Sequence, residues 1–210
     1  LGHQPMNRVF ENKKKSLVFN GEIYNYKELK KGLKENWDFK STSDSEVLFA
    51  GLNQFGPEFL KQLNGMLAFA FYDEQKGQVI FARDRVGKKP LYIYRTKECL
   101  VFSSELKAIT FLNLSLSLNT ESLNFYRWLG YIPAHLTIYN ECRKLNASTY
   151  QILDLNKNEL DLAEEVTYWD PLNGYGKKYK GSYEDAVEEL SSLLDDATRI
   201  RLDADVPVGV

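Results

Sequence analysis

Cysteine and histidine are scarce in this sequence and the charge is nearly balanced, and each shortage closes a class of explanation. Two cysteines among 210 residues, Cys99 and Cys142, cannot make a disulfide framework, and they lack the CxxC spacing of a zinc site or redox pair. Both read as reduced thiols. The two histidines, His3 and His135, stand alone with no metal-ligand spacing around them, so no metal is expected in these residues. Charges of 27 basic against 29 acidic residues sum to −2, too even for the basic surface that nucleic acid binding needs. No apolar run approaches the roughly 18 residues of a membrane span. The start, Leu1-Gly2-His3-Gln4-Pro5, has neither the basic head nor the apolar stretch of a signal peptide. The expectations are therefore no nucleic acid, no membrane, a cytoplasmic location and small-molecule chemistry.

What is present is ample apolar material, 43% of residues, arranged in short runs of both periods. Ser16-Leu17-Val18-Phe19 reads as a buried strand running into a sharp turn at Asn20-Gly21. Tyr26, Leu29 and Leu33 then recur at helical spacing behind an Asn25 cap. Ser43 to Glu46 has capping-box spacing ahead of a helix with Val47, Leu48, Gly51, Leu52 and Phe55 on one face, and Gly56-Pro57 ends it. Met66 to Tyr72 and Val79 to Ala82 form a predicted hairpin across the polar Asp73 to Gly77. The first of these strands alternates aromatics with alanines, which predicts a sheet covered on both faces. Leu91 to Tyr94 and Leu100 to Phe102 extend the antiparallel series. Helices near Glu105 to Thr110 and Thr120 to Trp128, and a strand near Tyr150 to Leu155, complete an α+β class.

From Asp170 the composition turns to Pro, Gly, Lys and Tyr without periodicity, so residues 170–181 are a predicted linker. Ser182 then caps a long helix with Tyr183, Ala186, Val187, Leu190, Leu193, Leu194, Ala197 and Ile200 on one face. Val206-Pro207-Val208-Gly209-Val210 opens a strand, and a helix leading into an apolar strand is how an α/β domain starts. The division expected is 1–169, a linker at 170–181, and the beginning of a second domain at 182–210. The chain begins on Leu1 without methionine and stops inside an apolar run, so the expectation is truncation at both ends.

Asn20-Gly21 is, taken alone, the strongest two-residue hairpin signal. A helix signal follows it rather than a matching strand, and an amide beside a glycine N–H is also how an oxyanion hole is made. Asp44, in the first turn of its helix, has an ordinary stabilising role open to it. Arg83-Asp84-Arg85-Val86-Gly87-Lys88-Lys89-Pro90 is basic and carries a glycine. It lacks the GxxxxGK[ST] spacing and a following helix, so the segment reads as a structural turn. Lys13-Lys14-Lys15 reads as a solvated turn.

Taken in order, NGEIYNY (20–26), SDSE (43–46), LNGMLAFAFYD (63–73), ARDRVGKKPLYIY (82–94) and FSSELKAI (102–109) resemble the class II glutamine amidotransferase domain of glutamine-hydrolysing asparagine synthetases. Gly2-His3-Gln4-Pro5-Met6, Tyr131-Ile132-Pro133, Thr137-Ile138 and Lys144-Leu145 extend the likeness over nearly the whole chain. The resemblance implies an N-terminal-nucleophile hydrolase sandwich, a four-layer αββα stack of antiparallel sheets, followed by the first helix and strand of an α/β ATP-pyrophosphatase domain.

It also implies a nucleophilic N-terminal cysteine whose own α-amino group is the base. Neither Cys99 nor Cys142 can supply that, so the segment by itself is expected to be inactive. The resemblance assigns Asn20 and the Gly21 N–H to the oxyanion hole, Glu22 and Asp44 to the α-amino group of glutamine, and an Arg/Asp pairing role to the Arg83 segment. The arginine that would clamp the substrate carboxylate lies upstream of NGEIYNY in a segment these residues do not include, and Arg8 is not a substitute. Glutamine is the implied substrate here. Aspartate, ATP and Mg2+ belong to the intact enzyme, in which ammonia amidates a β-aspartyl adenylate, and Val206 to Val210 resembles the strand before an SGGLDS-type loop. The sequence does not fix the oligomeric state; apolar surface exposed by missing segments makes the isolated segment prone to association, a homodimer being one form open to it. Two other readings stay open: an amidotransferase acting on another acceptor carboxylate, as in surface-polysaccharide synthesis, and a β-lactam-synthetase-like or binding module that does not hydrolyse glutamine.

Overall fold

The computed structural model describes residues 3–157 and 160–202, so the predicted strand at Val206 to Val210 lies outside the described residues. The chain opens with two strands, β1 (Met6–Phe10) and β2 (Lys13–Ile23), joined by a two-residue loop in which Glu11 and Asn12 both have positive φ, 48° and 64°. Two consecutive left-handed residues match the twist of a tight hairpin. The lysine run is therefore not a solvated turn. It opens β2, and Lys15 is buried there with its Nζ 2.9 Å from Asp73 Oδ2, because its position faces Asp73 across the sheet.

Strand β2 also runs further than its sequence predicts. It pairs with β3 (Gly65–Asp73) as far as Ile23↔Gly65, so Asn20 and Gly21 lie inside a strand and the turn comes at Tyr24 and Asn25. Asn25 is the N-cap of the helix that follows, but its side chain makes no cap bond. Its side chain donates to Gln62 O at 2.9 Å and accepts from Asn64 N–H at 3.0 Å, which fastens the loop before β3. Helix α1 (Tyr26–Leu33) and helix α2 (Asp44–Phe55) follow, and Gly56, at φ 60°, turns the chain into a 3-10 segment, Gly56–Gln62.

The predicted hairpin is present as β3 and β4 (Gln78–Arg83). Its two-sided pattern sorts the layers: Leu67, Phe69 and Phe71 pack with Leu48, Phe49 and Leu52 of α2, whereas Ala68 and Ala70 face Phe81, Leu91 and Ile93. Small side chains on that second face let another sheet approach. That sheet is formed by β5 (Tyr92–Arg95), β6 (Leu100–Ser103) and β7 (Cys142–Lys144) in the order β6-β5-β7. Leu91 to Phe102 thus continues the antiparallel series, with β5 paired to β6, but in a second sheet that forms the layer above the first. The first sheet continues instead through β8 (Thr149–Asp154) and β9 (Val166–Thr167), giving β1-β2-β3-β4-β8-β9, with every pairing antiparallel.

On the outer side of the second sheet, Tyr94 and Cys142 pack with Ile109 of the short helix α3 (Leu106–Thr110), and α4 (Thr120–Leu129) follows. Asn119 caps α4 by accepting from Ser122 N–H at 2.8 Å. The predicted linker contains one 3-10 turn, Pro171–Gly174, before helix α5 (Tyr183–Arg199). No helix among the described residues is long and apolar enough to cross a membrane.

Candidate active site

The register of β2 decides which of its backbone groups are open. Leu67, which faces Gly21, turns toward β4: it accepts from Asp84 N–H at 2.8 Å, and its own N–H donates to Asp84 Oδ2 at 3.2 Å. Gly21 therefore points its N–H away from β3, and by the two-residue repeat so do Phe19 and Ile23. On that edge Phe19 N–H donates to Gln4 Oε1 at 2.6 Å, and Ile23 N–H donates to Asp44 Oδ2 at 3.0 Å. Between these two closed positions the Gly21 N–H meets no acceptor among the described residues. A side chain is excluded here as well. Gly21 has φ 154°, and an added Cβ would stand 2.1 Å from Met66 O and 2.7 Å from Leu67 Cα.

Asn20 carries its side chain on the face toward the second sheet. Its Nδ2 donates to Ser104 Oγ at 3.0 Å, just beyond β6, which leaves the other amide hydrogen without that partner. Asn20 and Ser104 stand in the wall of a cleft of about 430 Å³ between the two sheets, with Val18, Ala68, Leu91, Phe102 and Ala108 among its apolar surfaces. Glu22 follows two residues on, half-buried, and its carboxylate has no hydrogen bond or ion pair among the described residues.

Asp44 is the first residue of α2, held there by the Ser43 cap, and the helix start is aimed at the open edge of β2. Asn20, Gly21 and Glu22 thus stand in sequence on the strand and Asp44 bonds to Ile23, two residues beyond Gly21, while of the four only Asn20 lines the cleft. The bond to Ile23 gives Asp44 a structural task of its own, joining α2 to β2. Its second oxygen has only a 3.4 Å contact from Ser45 Oγ.

The groups around the site are structural in ways the sequence pattern partly hid. Glu46 does not close a capping box. Ser43 Oγ accepts from Glu46 N–H at 3.3 Å, but the Glu46 carboxylate turns back to the preceding loop. It is fully buried and accepts from the N–H groups of Lys40 and Ser41, the Ser41 hydroxyl, the Trp37 indole and Arg8 Nη2, the last at 2.6 Å. Burial acts to raise its pKa, yet the Lys40 N–H, the Ser41 hydroxyl, Arg8 and the Ser41 N–H outweigh it and hold it at about 2. Arg8 is therefore a partner of Glu46, not of a substrate.

The Arg83 to Pro90 segment is a structural turn, although its arginine and aspartate do not bond each other. Arg83 donates to the carbonyls of Lys89, Leu145 and Gly87, while Asp84 accepts from the N–H groups of Leu67, Val86, Lys88 and Lys89. Gln4 and Ser104, which touch the candidate site directly, were not singled out by residue type. Both lie inside segments of the family likeness, GHQPM and FSSELKAI, and that membership was the available signal.

Cys99 and Cys142 pack with Tyr94 and Ile109 on the outer side of the second sheet and do not line the cleft. Burial, with the nearby Glu141 charge, pushes the Cys142 thiol up to about 11, which disfavours the thiolate. Among the described residues no group of three or more His, Cys, Asp or Glu could hold a metal ion.

Comparison with known proteins adds an independent finding. A family model described as a glutamine amidotransferase domain matches residues 1–169. A putative glutamine-hydrolysing asparagine synthetase 2 of Methanocaldococcus jannaschii is 39% identical over 198 residues, covering 92% of this chain and 36% of that protein. A glutamine-hydrolysing asparagine synthetase 2 of Bacillus subtilis is 33% identical over 217 residues, covering 100% of this chain and 28% of its own length. The chain spans about a third of the length of the curated relatives it matches. Among solved structures, the glutamine phosphoribosylpyrophosphate amidotransferase from B. subtilis complexed with ADP and GMP superimposes with a TM-score of 0.54 at 22% identity. It covers 79% of this chain and 32% of that one, a likeness of fold.

Proposed function

The chain belongs to the glutamine amidotransferase domain family, and from that premise we propose that residues 1–169 are the glutaminase part of an asparagine synthetase. In this reading glutamine is hydrolysed at the edge of β2, and the ammonia amidates aspartate in an ATP-dependent synthetase part that residues 182–210 begin. One observation carries the proposal: an N–H left open on Gly21, next in sequence to Asn20, whose amide stands in the wall of the inter-sheet cleft.

The chemistry follows from the developing charge. A thiolate, which the resemblance assigns to an N-terminal cysteine outside these residues, adds to the amide carbon of glutamine. The sulfur–carbon bond forms and the carbonyl π pair moves to oxygen. Gly21 N–H and the second Asn20 Nδ2 hydrogen are the donors for that oxyanion, fixed in advance by the sheet and by Ser104. The tetrahedral intermediate collapses as the carbon–nitrogen bond breaks and the nitrogen takes the proton that the cysteine's α-amino group removed from the thiol, leaving as ammonia and giving a thioester that water hydrolyses to glutamate. Glu22 and Asp44 supply acceptors for the substrate α-ammonium, whose charge-assisted bonds a neutral amide cannot equal. The described residues do not fit ATP or Mg2+: they hold neither a metal-ligand group nor a glycine-rich phosphate loop. This reading places both outside them.

The test is ammonia release from glutamine by the full-length enzyme carrying Asp44→Asn. The expected result is a rise in KM for glutamine of roughly 10- to 100-fold, the cost of losing a charged hydrogen-bond partner. An unchanged KM would overturn the assignment of Asp44 to the substrate.

A further inference from the structure

We infer that Gln4 is a positioning residue for the oxyanion hole, and this inference rests on the assignment of Asn20 and Gly21 just made. Strand β1 pairs with β2 only as far as Met6↔Leu17. Extending that register by two residues sets Gln4 opposite Phe19, in the position where a strand backbone would exchange both its bonds, but the backbone ladder stops at Met6. The Gln4 side chain then does what a strand backbone would have done. Its Oε1 accepts from Phe19 N–H and its Nε2 donates to Phe19 O, both at 2.6 Å. The donor and acceptor on Phe19 are fixed by chemistry, so the orientation of the Gln4 amide is fixed too.

The consequence falls on Gly21. A ladder that ran on would close the Gly21 N–H with a backbone carbonyl, the ordinary fate of an interior strand. A ladder that simply ended at Met6 would leave Phe19 to water and the strand edge free to shift. A side-chain amide at Phe19 avoids both. It pins the edge one repeat before Gly21, as Asp44 pins it one repeat after at Ile23, and it leaves the Gly21 donor accessible. Gln4 is exposed and contributes little burial, so the two bonds are its principal contribution. Because preorganised donors act in the transition state more than in the ground state, the signature of Gln4 is on kcat.

The experiment compares full-length wild type, Gln4→Leu, Gln4→Asn and Asn20→Ala by steady-state ammonia release from glutamine, with an unfolding midpoint for each. Gln4→Leu removes both bonds, and Gln4→Asn is one methylene too short to make them. The expected result for both is a kcat lower by roughly 10-fold with KM within about twofold, since a displaced donor costs less than a deleted one. An unchanged kcat in the Gln4 variants while Asn20→Ala is impaired would overturn the role of Gln4 alone. Full activity in Asn20→Ala would overturn the oxyanion-hole assignment beneath it. A raised KM at constant kcat, or failure of both Gln4 variants to fold, would make Gln4 a binding or structural residue and overturn the inference.

Discussion

Helices α2 and α5 each begin with a serine three residues ahead of an acidic side chain, Ser43 with Glu46 and Ser182 with Asp185. In α5 the box closes: Ser182 Oγ accepts from Asp185 N–H at 3.1 Å, and Asp185 Oδ2 accepts from Ser182 N–H at 2.9 Å. In α2 only the serine half forms, because Glu46 leaves the cap for five donors on β1 and the loop before the helix. Burial differs in the same direction. Helix α2 buries Val47, Leu48, Phe49 and Leu52 against the first sheet, whereas α5 buries none of its residues, and Tyr183 and Leu190 are 80% and 57% exposed. The same local pattern is thus completed where tertiary partners are few and redirected where they are many. The redirected helix is the one that brings Asp44 to the candidate site.

Breaking the two acids should separate the regions most. Glu46→Ala leaves Arg8 and two backbone N–H groups without their buried acceptor and should destabilise the sheet domain by about 4 kcal/mol in urea unfolding. Asp185→Ala should leave that transition in place. Next in size, Leu48→Ala should cost about 3 kcal/mol by opening a cavity between α2 and β3, while Leu190→Ala, on an exposed face, should stay within about 0.5 kcal/mol.

Acid should act on α2 through the same carboxylate. The folded pKa of Glu46 is depressed from 4.5 to about 2, so its contribution is complete above pH 4.5 and is lost as pH falls through 2. That contribution is up to roughly 3 kcal/mol. Stability measured from pH 5 to 2 should therefore fall less steeply in Glu46→Gln than in wild type. The smallest effect belongs to α5: Ser182→Ala should cost about 1 kcal/mol of local helix stability, visible as faster amide exchange in its first turn with the main transition unmoved.

The sequence was most legible where a single physical cause decided the outcome. Alternating aromatics and alanines in β3 announced a sheet covered on both sides, and Gly56-Pro57 marked the end of α2 without ambiguity. Asn20-Gly21 misled as a turn because the conformation Gly21 needs looks the same, in sequence, as that of a hairpin loop. Here it serves a close backbone approach inside a strand. The true hairpin loop, Glu11-Asn12, carries no glycine and went unread, so the buried position of Lys15 did too. Asn20, Gly21, Glu22 and Asp44 came from the ordered motifs, and the structure brings them to one edge. Gln4, Ser104 and the donors around Glu46 depend on contacts 15, 84 and up to 38 residues apart, which no local pattern encodes.

The most direct test of the central claim is kcat for ammonia release from glutamine by full-length Asn20→Ala against wild type. A fall of roughly 100- to 1,000-fold with KM little changed is the result expected when one oxyanion donor is removed. A kcat equal to wild type would contradict an oxyanion hole at this edge of β2.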